Sequence, residues 1–286
     1  MGWSARLGRS VAGLAAALAA CAAVAGSLPA RRIVSLAPNI TELLYTAGAG
    51  DRLIAAVEYS DFPAAARRLP RIGDAFRVDY ERLLELEPDL VITWQDGTAP
   101  SVVAELRRLK LPVRELRVSG LDDVATALRE LGAWAGTSAQ ADEAAAEYLR
   151  RLAALRAAHA SDPPVTVFFE ISETPLYTVN DRHPISEVIR LCGGRNVFAD
   201  LGELAPAVGI ESVLARDPQV ILAADDEPRA LEYWRRWPRL AAVRAGNLYT
   251  VSSDRISRAT VRLLDGAEQV CELLAEARAR RHDVAR

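Results

Sequence analysis

Two stretches of this chain, far apart in sequence, follow one template. Glu81-Arg-Leu-Leu-Glu-Leu-Glu-Pro88-Asp-Leu-Val-Ile92 returns as Glu211-Ser-Val-Leu-Ala-Arg-Asp-Pro218-Gln-Val-Ile-Leu222. Each opens on a Glu, continues with an apolar pair at helical spacing, meets a Pro and ends in an apolar run that suits a buried strand. A shorter pair precedes them: Thr41-Glu-Leu-Leu with Gly48, and Ser186-Glu-Val-Ile with Gly193. Thr41 and Ser186 are expected as N-caps, and the two glycines as helix ends. Two units in the same order predict two similarly built lobes with a ligand cleft between them. Helix–Pro–strand is also a common α/β cadence, so coincidence without duplication is the alternative.

Length and composition leave room for this plan. A chain of 286 residues that is 50% hydrophobic can bury an ample core. A net charge of -3 provides no electrostatic footprint for nucleic acid, so none is expected as a partner. Near the start, Arg6 and Arg9 precede an apolar run from Val11 to Ala20. That run is too short for a permanent membrane span and right for a signal-peptide core, which assigns 1–30 to a leader. Two cleavage sites compete. Leu18-Ala-Ala-Cys21 has the form of a bacterial lipobox, with Cys21 lipidated; Ala23-Val-Ala25 before Gly26 is a small-residue cut that discards Cys21. Both predict export to the periplasm. Cys192 and Cys271 then form an even pair in an oxidising compartment, which predicts a disulfide, with two buried free thiols as the alternative.

Beyond the leader, strands alternate with helices. Arg32 to Ala37, Leu53 to Val57, Leu90 to Trp94 and Val113 to Val118 read as strands, with helices from Thr41, Tyr80 and Ser101 between them. This alternation predicts a parallel sheet in an N-terminal lobe, 31–137. The Ala-rich segment 138–160 has almost no breakers and is expected to be one connecting helix of roughly 30 Å. After Pro163-Pro164 the pattern restarts in a C-terminal lobe, 161–286. Its strands are Val165 to Ile171, Val220 to Ala224 and Asn247 to Val251, with a closing helix from Arg258 towards Ala279. The expected fold class is therefore α/β: two lobes with mostly parallel central sheets, a single long rigid helix joining them, and the cleft between. No linker rich in Gly or Ser separates the lobes, so large hinge motion is not expected.

At this point the chain resembles a known family. The segments that carry the resemblance are Arg32-Ile-Val-Ser-Leu-Ala-Pro-Asn-Ile-Thr-Glu42, Tyr59-Ser-Asp-Phe-Pro63 and Glu81 to Trp94 in the first lobe. In the second they are Leu191-Cys-Gly-Gly-Arg-Asn-Val-Phe198, Glu211 to Ile221, and Ser253-Asp254 through Arg258 to Cys271. Together they resemble the periplasmic substrate-binding proteins of ABC importers, in the class whose lobes are joined by one long helix. Within that class the combination of Tyr59, Trp94 and the cysteine pair resembles the cobalamin-binding branch. The resemblance implies capture of cobalamin or a related corrinoid, and its delivery to a dimeric inner-membrane permease with its ATPase. It further implies a monomer with no cofactor of its own. Siderophore and haem carriers of the same class are the alternative.

A corrin ring is large, flat and mostly apolar, with amides at its edge, so its site needs aromatic faces and a few hydrogen-bonding groups. Tyr59 and Trp94 each follow a strand of the first lobe, and the resemblance adds Phe198, Asp254 and Arg258 from the second. Any one aromatic can instead be core, with Trp94 the exception because it leads into the polar Gln95-Asp96-Gly97; Arg258 can instead pair with Asp254. The sequence departs from the branch at Ala75 and Ala205, which stand where it has tryptophans, and Phe76 is expected to replace the first. By the same resemblance Glu81 and Glu211 each meet an arginine pocket on one half of the permease. The alternative is that both are helix N-terminal acids favoured by the macrodipole. No GxSxG elbow, Walker loop or GxGxxG opens a helix after a strand, and the histidines are only His159, His183 and His282. Non-catalytic binding without a metal is expected, with an α/β enzyme as the remote alternative.

Overall fold

The computed structural model describes residues 28–284, leaving out 75, 76 and 228. Cys21 and most of the leader assignment lie outside the described residues, as do Ala75 and Phe76. Ala30, which the sequence assigns to the leader, is part of the first lobe: its amide donates to the Trp134 carbonyl at 2.9 Å and its carbonyl accepts from Arg52 at 3.0 Å.

Two four-stranded sheets organise the chain. The first contains β1 (Ile33–Ser35), β2 (Leu53–Ala56), β3 (Leu90–Trp94) and β4 (Val113–Leu116) in the order β2-β1-β3-β4. Around it lie α1 (Pro38–Thr46), α2 (Tyr80–Glu85), α3 (Pro100–Arg108) and α4 (Asp123–Ala135). The connector is α5 (Ser138–His159). In the second lobe β5 (Val165–Glu170) is followed by a hairpin, β6 (Ser172–Glu173) and β7 (Leu176–Tyr177), then α6 (Pro184–Leu191) and β8 (Gly194–Asn196). The sheet is completed by α7 (Ile210–Arg216), β9 (Val220–Ala224), α8 (Ala241–Ala245) and β10 (Leu248–Val251), and the chain closes with α9 (Ser253–Ile256) and α10 (Leu263–Val284). The second sheet runs β10-β9-β5-β8, and every pairing in both sheets is parallel. With the hairpin set aside, both sheets place their strands in the order second, first, third, fourth. The repeat in sequence is a repeat in topology.

The helix–Pro–strand template becomes α2 into β3 and α7 into β9. Just before each proline, Glu87 and Asp217 take positive φ angles of 42° and 40°, the left-handed turn that redirects the chain from helix to strand. Gly48 and Gly193 end α1 and α6 with φ of 77° and 70°. The N-cap expectation is corrected. Proline at the first helical position starts a helix without losing a needed N–H, so α1 and α6 begin at Pro38 and Pro184. Thr41 and Ser186 fall inside the first turns, buried, where their hydroxyls bond to Ser35 Oγ (2.9 Å) and to the Asn180 carbonyl (2.7 Å). The closing helix begins at Leu263 rather than Arg258, because α9 and a turn come first.

The connector has 22 residues, about 33 Å at 1.5 Å per residue. Ala141, Ala145, Tyr148 and Leu152 make its buried stripe. Gly132 in α4 permits close packing there: a Cβ at that position would lie 2.3 Å from the Ala141 Cβ. Near its C-terminal end Arg156 forks onto Asp122, ahead of α4 (3.0 and 2.7 Å), while Arg151 reaches Asp265 and Glu268 on α10 (2.8 and 3.0 Å). One apolar core passes through both lobes, including Ile33, Ile40, Leu128, Tyr148, Ile185 and Leu264. A disulfide joins Cys192, at the end of α6, to Cys271 in α10 and ties the closing helix to its own lobe.

Candidate functional site between the lobes

In parallel α/β sheets, ligands sit outside the carboxyl ends of the strands. Here those ends converge from both lobes on a cavity of about 270 Å³. Trp94 ends β3, Arg117 to Ser119 follow β4, and Leu204, Ile256 and Ser257 follow β8 and β10; Arg182 to Pro184 lead into α6.

The first-lobe wall is built around Trp94. Its carbonyl accepts from Gly97 N (3.2 Å) and Thr98 N (2.8 Å), and its amide donates to Thr98 Oγ1 (3.0 Å), which fixes a tight turn. Gly97 lies against the ring: a Cβ there would sit 2.0 Å from Trp94 Cε3. The indole N–H is buried and has no hydrogen-bond partner among the described residues. Beside it Ser119 Oγ donates to Asp96 Oδ2 (2.9 Å) and accepts from Arg117 Nε (3.0 Å).

The second-lobe wall is built around His183, which caps α6 by accepting from Ile185 N at 3.2 Å through Nδ1. Burial pushes its pKa down to about 4, so the ring is neutral at neutral pH. The Arg182 guanidinium donates to the Gly202 carbonyl.

One end of the cleft is bridged. Arg258 reaches across to Asp61 Oδ1 (2.6 Å) and the Tyr59 carbonyl (3.2 Å), and also lies 3.3 Å from Asp254 on its own lobe. Partial burial raises the Asp61 pKa, but the hydrogen bond and charge of Arg258 outweigh it and hold the carboxyl below its ordinary range. Next to this bridge the Arg262 guanidinium stacks 3.9 Å over the Phe62 ring.

Of the residues singled out in the sequence, Trp94 lines the cavity, and Tyr59, Asp254 and Arg258 meet at the bridged end. Tyr59 has a left-handed backbone (φ 64°) and its side chain is outside the core, the residue being 77% exposed. Phe198 is taken out of the set. It is 1% exposed, edge-on to Phe168 at 5.6 Å and covered by Arg216 at 4.5 Å, because Asn196 Oδ1 accepts from its amide and turns the chain inward after β8. Ala205 is exposed beside Leu204. Asp61, Arg117, Ser119, Arg182 and His183 are cleft residues that sequence reasoning does not single out. Only Asp61, inside the Tyr59–Pro63 segment, and His183, ahead of a helix-starting proline, carry any local signal. Glu81 and Glu211 are each the second residue of their helix, both exposed, and neither carboxylate has a hydrogen-bond or ion-pair partner among the described residues. No group of three or more His, Cys, Asp or Glu side chains that could hold a metal occurs among the described residues.

The geometry has counterparts among known proteins. The family described as "Periplasmic binding protein" matches residues 33–254. A vitamin B12-binding protein of Vibrio cholerae is 38% identical over 252 residues, covering 88% of this chain and 91% of the relative. The crystal structure of the periplasmic vitamin B12 binding protein BtuF of Vibrio cholerae superposes with a TM-score of 0.83 at 39% identity, covering 87% of this chain and 98% of that one. The periplasmic haem-binding protein RhuT of Roseiflexus sp. RS-1 shares the fold at 22% identity, with a TM-score of 0.76 over 86% of this chain and 98% of its own. With a family match over residues 33–254, 38% identity across most of the chain and a shared fold, the chain belongs to the periplasmic binding protein family.

Proposed function

We propose that this protein captures cobalamin or a related corrinoid between its lobes and delivers it to an inner-membrane ABC permease. The observation that carries the reading is the likeness to the Vibrio cholerae vitamin B12-binding protein over 88% of the chain at 38% identity. The chemistry of the cleft supports it. Trp94 offers an aromatic face with an unpaired indole donor beside it, and Tyr59 offers a second, exposed one. Arg258 and Asp254 supply polar contacts at one end, and Phe76 takes over from the tryptophan that the branch carries at the position of Ala75. Glu81 and Glu211, repeated and unpaired, register the loaded protein on the two halves of the permease. The protein works as an exported periplasmic monomer and performs no chemistry on its cargo.

Isothermal titration of the purified mature chain tests this against cyanocobalamin, dicyanocobinamide, haemin and a ferric siderophore. A corrinoid is expected to bind at least about tenfold more tightly than haemin or the siderophore, a difference of about 1.4 kcal/mol. The reverse order overturns the reading.

A further inference from the structure

The arginines around the cleft fall into two groups. Arg258 and Arg262 are neutralised, the first by Asp61 and Asp254, the second by Glu42. Arg117 and Arg182 line the cavity from opposite lobes, and neither forms an ion pair with a carboxylate among the described residues. Arg117 donates to the Ser119 hydroxyl and Arg182 to the Gly202 carbonyl, both neutral acceptors. Asp96 is the one carboxylate among the described lining residues, and Ser119 already engages it. His183 adds no charge, since its ring nitrogen serves as the acceptor that caps α6. The cavity therefore presents two cations against one anion, on walls otherwise apolar at Trp94, Val118, Leu204 and Ile256. Like charges facing a partly enclosed space repel one another, and an entering anion removes that repulsion. A guanidinium fork fits an oxyanion in particular.

We propose that Arg117 and Arg182 form a subsite for an oxyanion at the edge of the bound macrocycle, and that this oxyanion is the phosphodiester of a corrinoid's nucleotide tail. The proposal rests on the corrinoid reading and deepens it. It makes the protein selective for the complete corrinoid over one that lacks the nucleotide. The propionates of haem offer the same oxyanion chemistry, so haemin forms a separate arm of the test.

Affinities are measured by isothermal titration for the wild type, Arg117→Gln, Arg182→Gln and the double variant, with cyanocobalamin, dicyanocobinamide and haemin. Both side chains lie on exposed residues, so glutamine is expected to leave the fold intact, which a melting curve checks. The wild type is expected to prefer cyanocobalamin. Each single change should weaken cyanocobalamin binding about tenfold, as loss of a charged hydrogen bond does, and leave dicyanocobinamide within about twofold. Arg182→Lys keeps the charge but loses the fork, so it should retain only part of the preference, more than Arg182→Gln does. Equal losses for both corrinoids, or no loss in folded variants, overturn the subsite and leave the corrinoid reading standing. Haemin binding more tightly than either corrinoid, or no corrinoid bound by the wild type, overturns both.

Discussion

Glu42 and Arg262, 220 positions apart, meet as a buried fork across the two lobes. Arg262 Nε and Nη2 lie 2.8 and 2.7 Å from the two carboxylate oxygens, Thr260 Oγ1 adds a third donor at 2.6 Å, and Glu42 is 1% exposed. Glu187, the repeat counterpart of Glu42, does the same in the opposite direction. Its Oε2 accepts from Leu121 N at 2.7 Å and its Oε1 faces Arg156 at 3.2 Å. The first helix of each lobe thus grips the residues that lead into the last helix of the other.

Breaking the Glu42 fork should be costly. Glu42→Ala leaves the Arg262 guanidinium, itself only 16% exposed, without its counter-charge, and is expected to destabilise the fold by about 3 kcal/mol. Urea unfolding measures this directly. An unchanged midpoint would show that Arg262 escapes to solvent instead.

Trp94→Ala is expected to weaken corrinoid binding by roughly 1–3 kcal/mol, the range for losing a large aromatic face. Gly97→Ala should do part of the same without touching the indole, because its added Cβ meets the ring at 2.0 Å and displaces it. Titration of both variants with cyanocobalamin checks the pair. Full affinity in each would remove Trp94 from the binding wall.

Glu81→Arg with Glu211→Arg should abolish uptake and leave corrinoid affinity unchanged, since both positions lie outside the cavity lining. The double change should be worse than either single one. A pure helix-end role predicts instead a loss of about 0.3–1 kcal/mol per site and normal uptake. Transport assays and melting curves on the same three variants distinguish the two outcomes.

His183 gives stability a defined dependence on pH. Burial holds its pKa at about 4, below the ordinary 6.5, so the unfolded chain takes up a proton that the folded chain refuses. The contribution is complete above about pH 6.5 and is lost as pH falls towards 4, at no more than about 1.4 kcal/mol per pH unit. His183→Asn, which keeps a capping acceptor, should flatten the urea midpoint between pH 7 and 5. The Asp61 carboxyl, with its pKa held low by Arg258, acts only below its ordinary 3.8, a separate window.

The parallel strands and the connector were legible because they rest on local signals: the Pro88 and Pro218 turns, the apolar runs after them, and an unbroken Ala-rich segment. The disulfide was legible for a different reason, since with Cys21 assigned to the leader two cysteines remain. The start of α1 was misread because Thr41 looks like a cap, while Pro38 three residues earlier provides the stronger start. Phe198 shows the limit for aromatics, whose inward or outward direction after a strand depends on a turn that Asn196 sets. Arg117 and Arg182 belong to the cleft through contacts that only the folded chain makes, and no spacing in the sequence announces them.

The reciprocal grip of Glu42 and Glu187 bears on how the molecule comes apart. A chain of two like halves is open to melting one half at a time. Here each half holds the other's final helix, and a single apolar core passes beneath the connector. Separating the lobes would strand both carboxylates and split that core, so the two halves share one cooperative transition, and the unit of folding is the pair.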